Sequence, residues 1–240
     1  YLHCYYLKCN TKSRMGINRS MNTAILIPAR LASTRFPNKM LAELNGVPLI
    51  KHVYERCLES GLSTYVVTPD EEIKEIIGKE NTLLVGDAEN GTARCYLGSQ
   101  FINYQNYINV QGDMPDITKE IILEVEDKLN EYSVATAYTK MPEQLQNDPN
   151  TVKIVHNGKT AKWFGRGITG YGDHHLGIYG YKNSSLEIYH KLKIYPEEEV
   201  EKLEQLRWIQ NDVTIGIVEV EFNGIEINTK EDLSKWQKEQ

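Results

Sequence analysis

The sequence predicts an α/β protein with a mostly parallel central sheet, helices on both faces and a β-rich insertion. Three observations predict it. Over residues 21–130, short apolar runs alternate with amphipathic stretches in the order β-loop-α-β-α-β-α-β-α, the pattern of a parallel sheet with crossover helices. The first apolar run, Ala24–Ile27, is continuous and closed by Pro28, as in a buried strand. The remaining chain is richer in extended runs, with no repeat or low-complexity linker between the halves. One domain over 21–240 is therefore expected, with the β-rich part forming one side of a cleft.

After the first strand, residues 28–46 read as a long polar loop. Pro48–Ser60 has helical spacing, with Leu49, Ile50, Val53, Cys57 and Leu58 on one face and Gly61 as a stop. Thr64–Thr68, Thr82–Val85 and Tyr107–Val110 read as strands. Asp70–Gly78, Gly91–Tyr104 and Lys119–Asn130 read as helices. Beyond them, Ser133–Tyr138, Val152–His156, Thr160–Phe164, Gly177–Tyr181 and Val213–Val220 look extended. Leu186–Leu192, Pro196–Trp208 and Thr229–Gln240 look helical. In such sheets ligands bind beyond the carboxyl ends of the strands. The polar loops at 28–39 and 111–116 both leave strand ends, so this topology brings them together.

Composition narrows the function classes. The 240 residues are 40% hydrophobic and 25% charged, the balance of an ordinary globular protein. No apolar run is long enough to span a membrane. A net charge of −6 does not suit broad nucleic-acid binding. Cys4, Cys9, Cys57 and Cys95 are too few and too scattered for a disulfide framework, and none forms a C-x-x-C pair. Thiols kept reduced in a cytoplasm are the expectation. Residues 1–20 carry Lys8, Lys12, Arg14 and Arg19, no acid, and no signal-peptide core. They read as an extension outside the fold, with Met21 as the start.

Several residues could carry chemistry. Arg30, Arg35 and Lys39 share one loop with Ser33 and Thr34. Arginine forks match phosphate oxygens and lysine serves as a point charge, so this loop suits an oligophosphate. It is not a Walker A motif, and a solvated basic loop is the alternative. Asp113 follows a strand and a glycine, where one carboxylate can hold Mg²⁺ together with substrate phosphates. A turn or N-cap aspartate is the alternative. Gly165-Arg-Gly167-Ile-Thr-Gly170 has the letters of G-x-G-x-x-G but no helix-like run after it, so it reads as a loop. His174 and His175 are adjacent on a strand and point to opposite faces. Glu204, Gln205 and Arg207 fall on an expected helix, where an ordinary solvated face is the alternative.

Ile27-Pro-Ala-Arg-Leu-Ala-Ser-Thr-Arg-Phe-Pro-Asn-Lys39, Asn109-Val-Gln-Gly-Asp113, His175-Leu-Gly-Ile-Tyr-Gly-Tyr181 and Leu203-Glu-Gln-Leu-Arg207 together resemble the 3-deoxy-manno-octulosonate cytidylyltransferases, the CMP-Kdo synthetases. Asn90-Gly-Thr-Ala-Arg94 and Asn150-Thr-Val-Lys153 fit weaker signatures of that family. The resemblance implies a nucleotide-diphospho-sugar transferase-like fold, usually dimeric. It implies Mg²⁺-dependent joining of CTP and Kdo into CMP-Kdo and pyrophosphate, a cytoplasmic step of lipopolysaccharide biosynthesis. By the same resemblance Arg30, Arg35 and Lys39 meet the triphosphate, with Ala29 and Ser33 in the same loop. Gly91, Arg94 and Gln111 lie on the nucleotide side. Arg166, His175, Tyr179, Glu204 and Gln205 lie on the sugar side, and Asp113 is a Mg²⁺ ligand.

The chain departs from the family pattern in four places. Met114 stands where the family has an acid, and Ala88 and Asn90 stand where it commonly has His and Ser. The stretch from Arg166 to His175 is much shorter. Asn228 stands where the family has a second metal aspartate. Glu226, two residues earlier, shares a face with Asn228 if this is a strand, and could substitute. The shortened stretch supports a related acidic sugar as substrate, such as 8-amino-Kdo or a sialic-acid-like sugar. Asn228 supports a catalytically weakened nucleotide- or sugar-binding homologue.

Overall fold

The computed structural model describes residues 22–32 and 36–239. The expectations for residues 1–20 and for Ser33, Thr34 and Arg35 fall outside them. The chain opens with β1 (Thr23–Pro28), buried throughout. A 3-10 turn at Lys39–Leu41 and a small hairpin, β2 (Glu43–Leu44) and β3 (Val47–Pro48), lead into α1 (Leu49–Leu58). The hairpin lies within what the sequence presents as plain loop. Its turn uses Asn45 and Gly46, both at positive φ, the preference of two-residue hairpin turns. There follow β4 (Ser63–Thr68), α2 (Glu71–Ile77), β5 (Thr82–Leu84), α3 (Gly91–Ser99), β6 (Asn106–Val110), α4 (Lys119–Lys128) and β7 (Val134–Thr139). An antiparallel arm comes next, β8 (Lys153–His156) and β9 (Ala161–Gly165), then the long β10 (Asp173–Lys182). The chain ends with α5 (Asn183–Ile188), α6 (Pro196–Glu201), α7 (Leu206–Gln210), β11 (Ile215–Glu219) and α8 (Lys230–Glu239).

The main sheet has the order β11-β7-β10-β6-β1-β4-β5, with β8 and β9 branching from β10. Strands β6, β1, β4 and β5 are parallel neighbours, and so are β7 and β11. β10 runs against both β6 and β7. The expected mostly parallel central sheet with a β-rich insertion is thus present, and the insertion is β8–β9 with the start of β10. Alternation along β1 feeds two cores. Ile25 and Ile27 pack with Leu49, Ile50 and Val53 of α1 and Ile121, Ile122 and Val125 of α4. Ala24 and Leu26 pack with Cys95 of α3, Leu186 of α5 and Trp208 of α7. Helices therefore cover both faces. Cys57 and Cys95 are free and buried.

Two element expectations need correction. Pro196–Trp208 is two helices, because Lys202 takes a left-handed conformation (φ 55°, ψ 48°) that closes α6. Residues 220–229 are not a strand, so the condition under which Glu226 and Asn228 would share a face is not met. After β11 the chain crosses the end of the sheet as irregular backbone, tied by the Ile227 N–H to the Asp113 carbonyl at 2.9 Å.

Candidate functional site

The carboxyl ends of β1, β4, β6 and β7 share one edge of the sheet, and the beginning of β10 lies beside them because it is antiparallel to β6. Ala29 is buried, its N–H bonded to the Val67 carbonyl at 3.0 Å. The next turn is fixed by Asp70, whose Oδ2 accepts the Leu31 N–H at 2.8 Å. This leaves Arg30 exposed at the strand end. Lys39 returns from the 3-10 turn and its Nζ donates to Asp113 Oδ2 at 2.7 Å. Both groups keep some solvent access, with side chains 12% and 22% exposed. Arg94, buried on the first turns of α3, donates to the Gly86 carbonyl. Its guanidinium is destabilised by burial and by neighbouring Arg30, and supported by Asp87 and Asp70. Arg30, Lys39 and Arg94 therefore gather cationic charge at one edge.

Glu226 reaches the same place from the late segment. Its carboxyl accepts from the Gly177 N–H, and its pKa is raised to about 7, first by burial and then by the negative charge of Asp113; Lys39 and Arg166 oppose that rise. Asn228 is partly buried. Its N–H and that of Thr229 both go to Asp232 Oδ2, and Thr229 Oγ1 accepts the Asp232 N–H in return. This reciprocal arrangement begins α8. Of the two residues weighed as the second carboxylate position, the acid is Glu226, and it feels Asp113 directly.

A second group gathers at the N-terminus of α3. Asn90 caps the helix, its Oδ1 accepting the Ala93 N–H at 2.8 Å. Glu204 turns into the same end and accepts from the N–H groups of Thr92 and Gly91. Burial raises its pKa against those bonds. Gln111 is adjacent: a Cβ on Gly91 would lie 3.0 Å from Gln111 Nε2 and 3.3 Å from Glu204 Oε1. The other Gln111 amide contact is to Asn109 Oδ1, at 3.1 Å. Gln205 is buried beside them in the chain.

The arm contributes the third group. Arg166 sits where β9 ends. Its N–H goes to Glu201 Oε2 at 2.9 Å, and its carbonyl accepts from Lys153 Nζ at 3.1 Å. Its guanidinium donates to the Asn150 carbonyl. Tyr179 is buried, and its phenol is held far from ionisation by burial and by Glu204 and Glu226, with Arg166 opposing. Tyr179 therefore feels the charge of both acid positions. His175 is buried against Phe164 and Tyr179, and its Nε2 lies 2.9 Å from Thr136 Oγ1. Thr136 spends its proton on the Ile178 carbonyl at 2.7 Å, so His175 is the donor. The β7–β10 register shifts between His175 and Tyr179, a bulge that includes Ile178; bulges are frequent beside active sites.

Sequence reasoning did not single out Glu201, which with Lys153 fixes the Arg166 turn, or Asp116; Lys153 entered only as part of a weaker family signature, with no role given to it. All act through contacts distant in the chain. Their residue types carry no local signal.

The donor chemistry fits a hard divalent cation. Asp113 and Glu226 offer carboxylate oxygens that repel one another, a repulsion a cation would relieve. Among the described residues no three His, Cys, Asp or Glu side chains gather as a cage. Such a site depends on substrate phosphates for its remaining ligands, as Mg²⁺ sites commonly do.

Comparison with known proteins identifies the family and the fold. A family model described as cytidylyltransferase matches residues 24–215. The 3-deoxy-manno-octulosonate cytidylyltransferase of Wolinella succinogenes is 37% identical over 236 residues, covering 88% of this chain and 96% of that protein. The enzyme of the same name from Bartonella henselae is 35% identical, covering 91% and 98%. A solved structure of CMP:2-keto-3-deoxy-manno-octonic acid synthetase complexed with CTP superposes with a TM-score of 0.84 at 30% identity, covering 90% of this chain and 97% of that one. An inositol-1-phosphate CTP transferase from T. maritima shares the fold, with a TM-score of 0.66 at 13% identity. No helix among the described residues is long and apolar enough to cross a membrane. The chain belongs to the cytidylyltransferases, among the 3-deoxy-manno-octulosonate cytidylyltransferase family, and is a nucleotidyltransferase.

Proposed function

We propose that the chain joins CTP to Kdo, giving CMP-Kdo and pyrophosphate, with Mg²⁺ as cofactor. The observation that carries this reading is the Lys39–Asp113 pair, with Arg30, Arg94 and Glu226 around it, at the sheet edge of a cytidylyltransferase. The anomeric oxygen of the sugar bonds to the α-phosphorus while the bond to the pyrophosphate oxygen breaks. Such chemistry is mostly positioning and charge neutralisation. Arg30, Arg35 and Lys39 would neutralise the triphosphate, and Gln111 with Gly91 would meet the nucleotide. Arg166 would meet the sugar carboxylate, with Tyr179, Glu204 and Gln205 nearby. His175, committed to Thr136, would hold the bulged strand on which Tyr179 sits. Asp113 and Glu226 would hold Mg²⁺, which supplies charge neutralisation at the reacting phosphate. A homodimer and a cytoplasmic location go with this reading; sedimentation checks the first.

CTP-dependent pyrophosphate release, measured with and without Kdo, tests the proposal. Release that requires both supports it, and none with either overturns it. A second reading, a related acidic sugar such as 8-amino-Kdo or a sialic-acid-like nine-carbon sugar, is favoured by the short connection 166–172 between β9 and β10. Higher turnover with one of those sugars in the same assay would establish it.

Two further expectations arise here. Lys39→Ala and Arg30→Ala should each lower kcat/KM for CTP by about 100-fold, the scale for a preorganised cationic contact to a transferring phosphoryl group. Kdo binding should change little. Unchanged CTP use in both variants would mean a solvated basic loop. Glu226→Gln should raise the Mg²⁺ needed for half-maximal turnover by about tenfold. Asn228→Asp should shift it far less, since Glu226 already supplies the charge. A larger effect at 228 would reverse that assignment.

A further inference from the structure

The late segment carries Glu226 across the end of the sheet without belonging to any strand or helix, so something must hold it there. One bond is main-chain, from the Ile227 N–H to the Asp113 carbonyl at 2.9 Å. Two more bonds converge on a side chain outside the motif. Asp116 Oδ2 accepts the Ile225 N–H at 2.9 Å. Asp116 Oδ1 accepts the Trp236 indole N–H of α8 at 2.8 Å. The segment also lies directly on this residue: a Cβ on Gly224 would come within 2.4 Å of Asp116 Cβ, so only glycine permits the approach. Trp236 is 3% exposed, and its ring meets His52 of α1 edge-on at 5.4 Å. Asp116 thus ties three parts together: its own loop three residues after Asp113, the chain just before Glu226, and the helix that follows.

We infer that Asp116 is a positioning residue for the cation side of the site, setting Glu226 against Asp113 by holding both ends of the late segment. The inference rests on the reading of Asp113 and Glu226 as the cation-holding carboxylates. Its physical basis is that an ionised carboxylate accepting two N–H groups makes bonds about twice as strong as neutral ones. An amide in its place offers one acceptor, and turns an N–H toward the other donor. Partners that orient metal-holding groups in this way typically matter by about 10- to 100-fold in metal affinity or activity.

The test uses the full chain with Mn²⁺ alone as probe, measured by electron paramagnetic resonance, beside Mg²⁺-dependent pyrophosphate release from CTP and Kdo. In Asp116→Asn, with circular dichroism unchanged, amides 222–229 should exchange faster. The Mn²⁺ dissociation constant and the half-saturating Mg²⁺ concentration should each rise by about tenfold. KM for CTP should stay within about twofold, since the triphosphate-facing cations are untouched. If Asp116→Asn does not fold, Trp236→Phe removes one donor and keeps the ring, and a smaller shift in the same direction is expected. Faster exchange with unchanged Mn²⁺ affinity would make Asp116 purely structural and overturn the inference, as would a wild-type chain that takes up no Mn²⁺. A wild-type chain that binds Mn²⁺ but releases no pyrophosphate with Kdo sinks the functional reading alone, and the Mn²⁺ measurements still decide on Asp116.

Discussion

Asp113→Asn is expected to lower turnover by about 1000-fold with the fold intact, the scale seen when a preorganised charge at a reacting centre is removed. The substitution is isosteric and leaves the Asp113 carbonyl in place, so the bond from the Ile227 N–H that docks the late segment survives. What disappears is the negative charge facing Lys39 at 2.7 Å. Because that pair is partly exposed, its loss should cost about 1 kcal/mol of stability or less. Activity and stability are therefore expected to part company: a large fall in pyrophosphate release beside a thermal midpoint close to wild type. Near-normal turnover would show that Asp113 only balances Lys39. A collapse in stability matching the lost activity would make the pair a fold element.

The sequence carried the alternating half of this fold because each of its signals is local. The apolar run Ala24–Ile27 and the helical spacing of Leu49, Ile50 and Val53 need no distant partner to be read. The polar loops after β1 and β6 met as the topology required, and Lys39 bonds Asp113. The break within Pro196–Trp208 was not legible, because a lysine at φ 55° has no intrinsic reason to end a helix. Its cause is tertiary. Ending α6 at Lys202 lets Glu204 turn into the α3 N-terminus, while Arg207 folds back on Glu198, donating from Nε at 2.9 Å, and reaches Glu89 at 2.7 Å. The exchange of acid between positions 226 and 228 was visible as letters. Its geometry was not, since residues 220–229 follow neither strand nor helix period. Asp116 and Trp236 lie 120 positions apart, and no pattern in one chain couples them.

Acidification is expected to unfold the protein through His175. Burial, with smaller contributions from His174 and Arg166, lowers its pKa from 6.5 to about 3. Its single ring proton donates to Thr136, whose own proton is spent on the Ile178 carbonyl. A second proton would put a cation among Phe164, Tyr179 and the bulged strand, where solvent cannot reach it. Between pH 6.5 and about 3 the unfolded chain binds a proton at this position and the folded chain does not. The unfolded state then holds more protons, so stability rises with pH across that window and is complete above 6.5. At about 1.4 kcal/mol per pH unit, His175 alone accounts for a loss of at most roughly 5 kcal/mol by pH 3. His174, lowered to about 4 mainly by burial, acts in the same direction over a narrower range. Glu226 acts oppositely, because a carboxyl raised to about 7 is protonated sooner in the folded state and gains stability as pH falls from there toward 4.5. The informative quantity is therefore the difference between wild type and His175→Gln. The glutamine amide can still donate to Thr136 but does not titrate. Urea unfolding at pH 7, 6, 5 and 4 should find the variant less stable at pH 7 yet flatter toward acid, with the two curves converging near pH 4. Parallel curves would mean that His175 takes up its proton without strain and does not hold the bulged strand of the site.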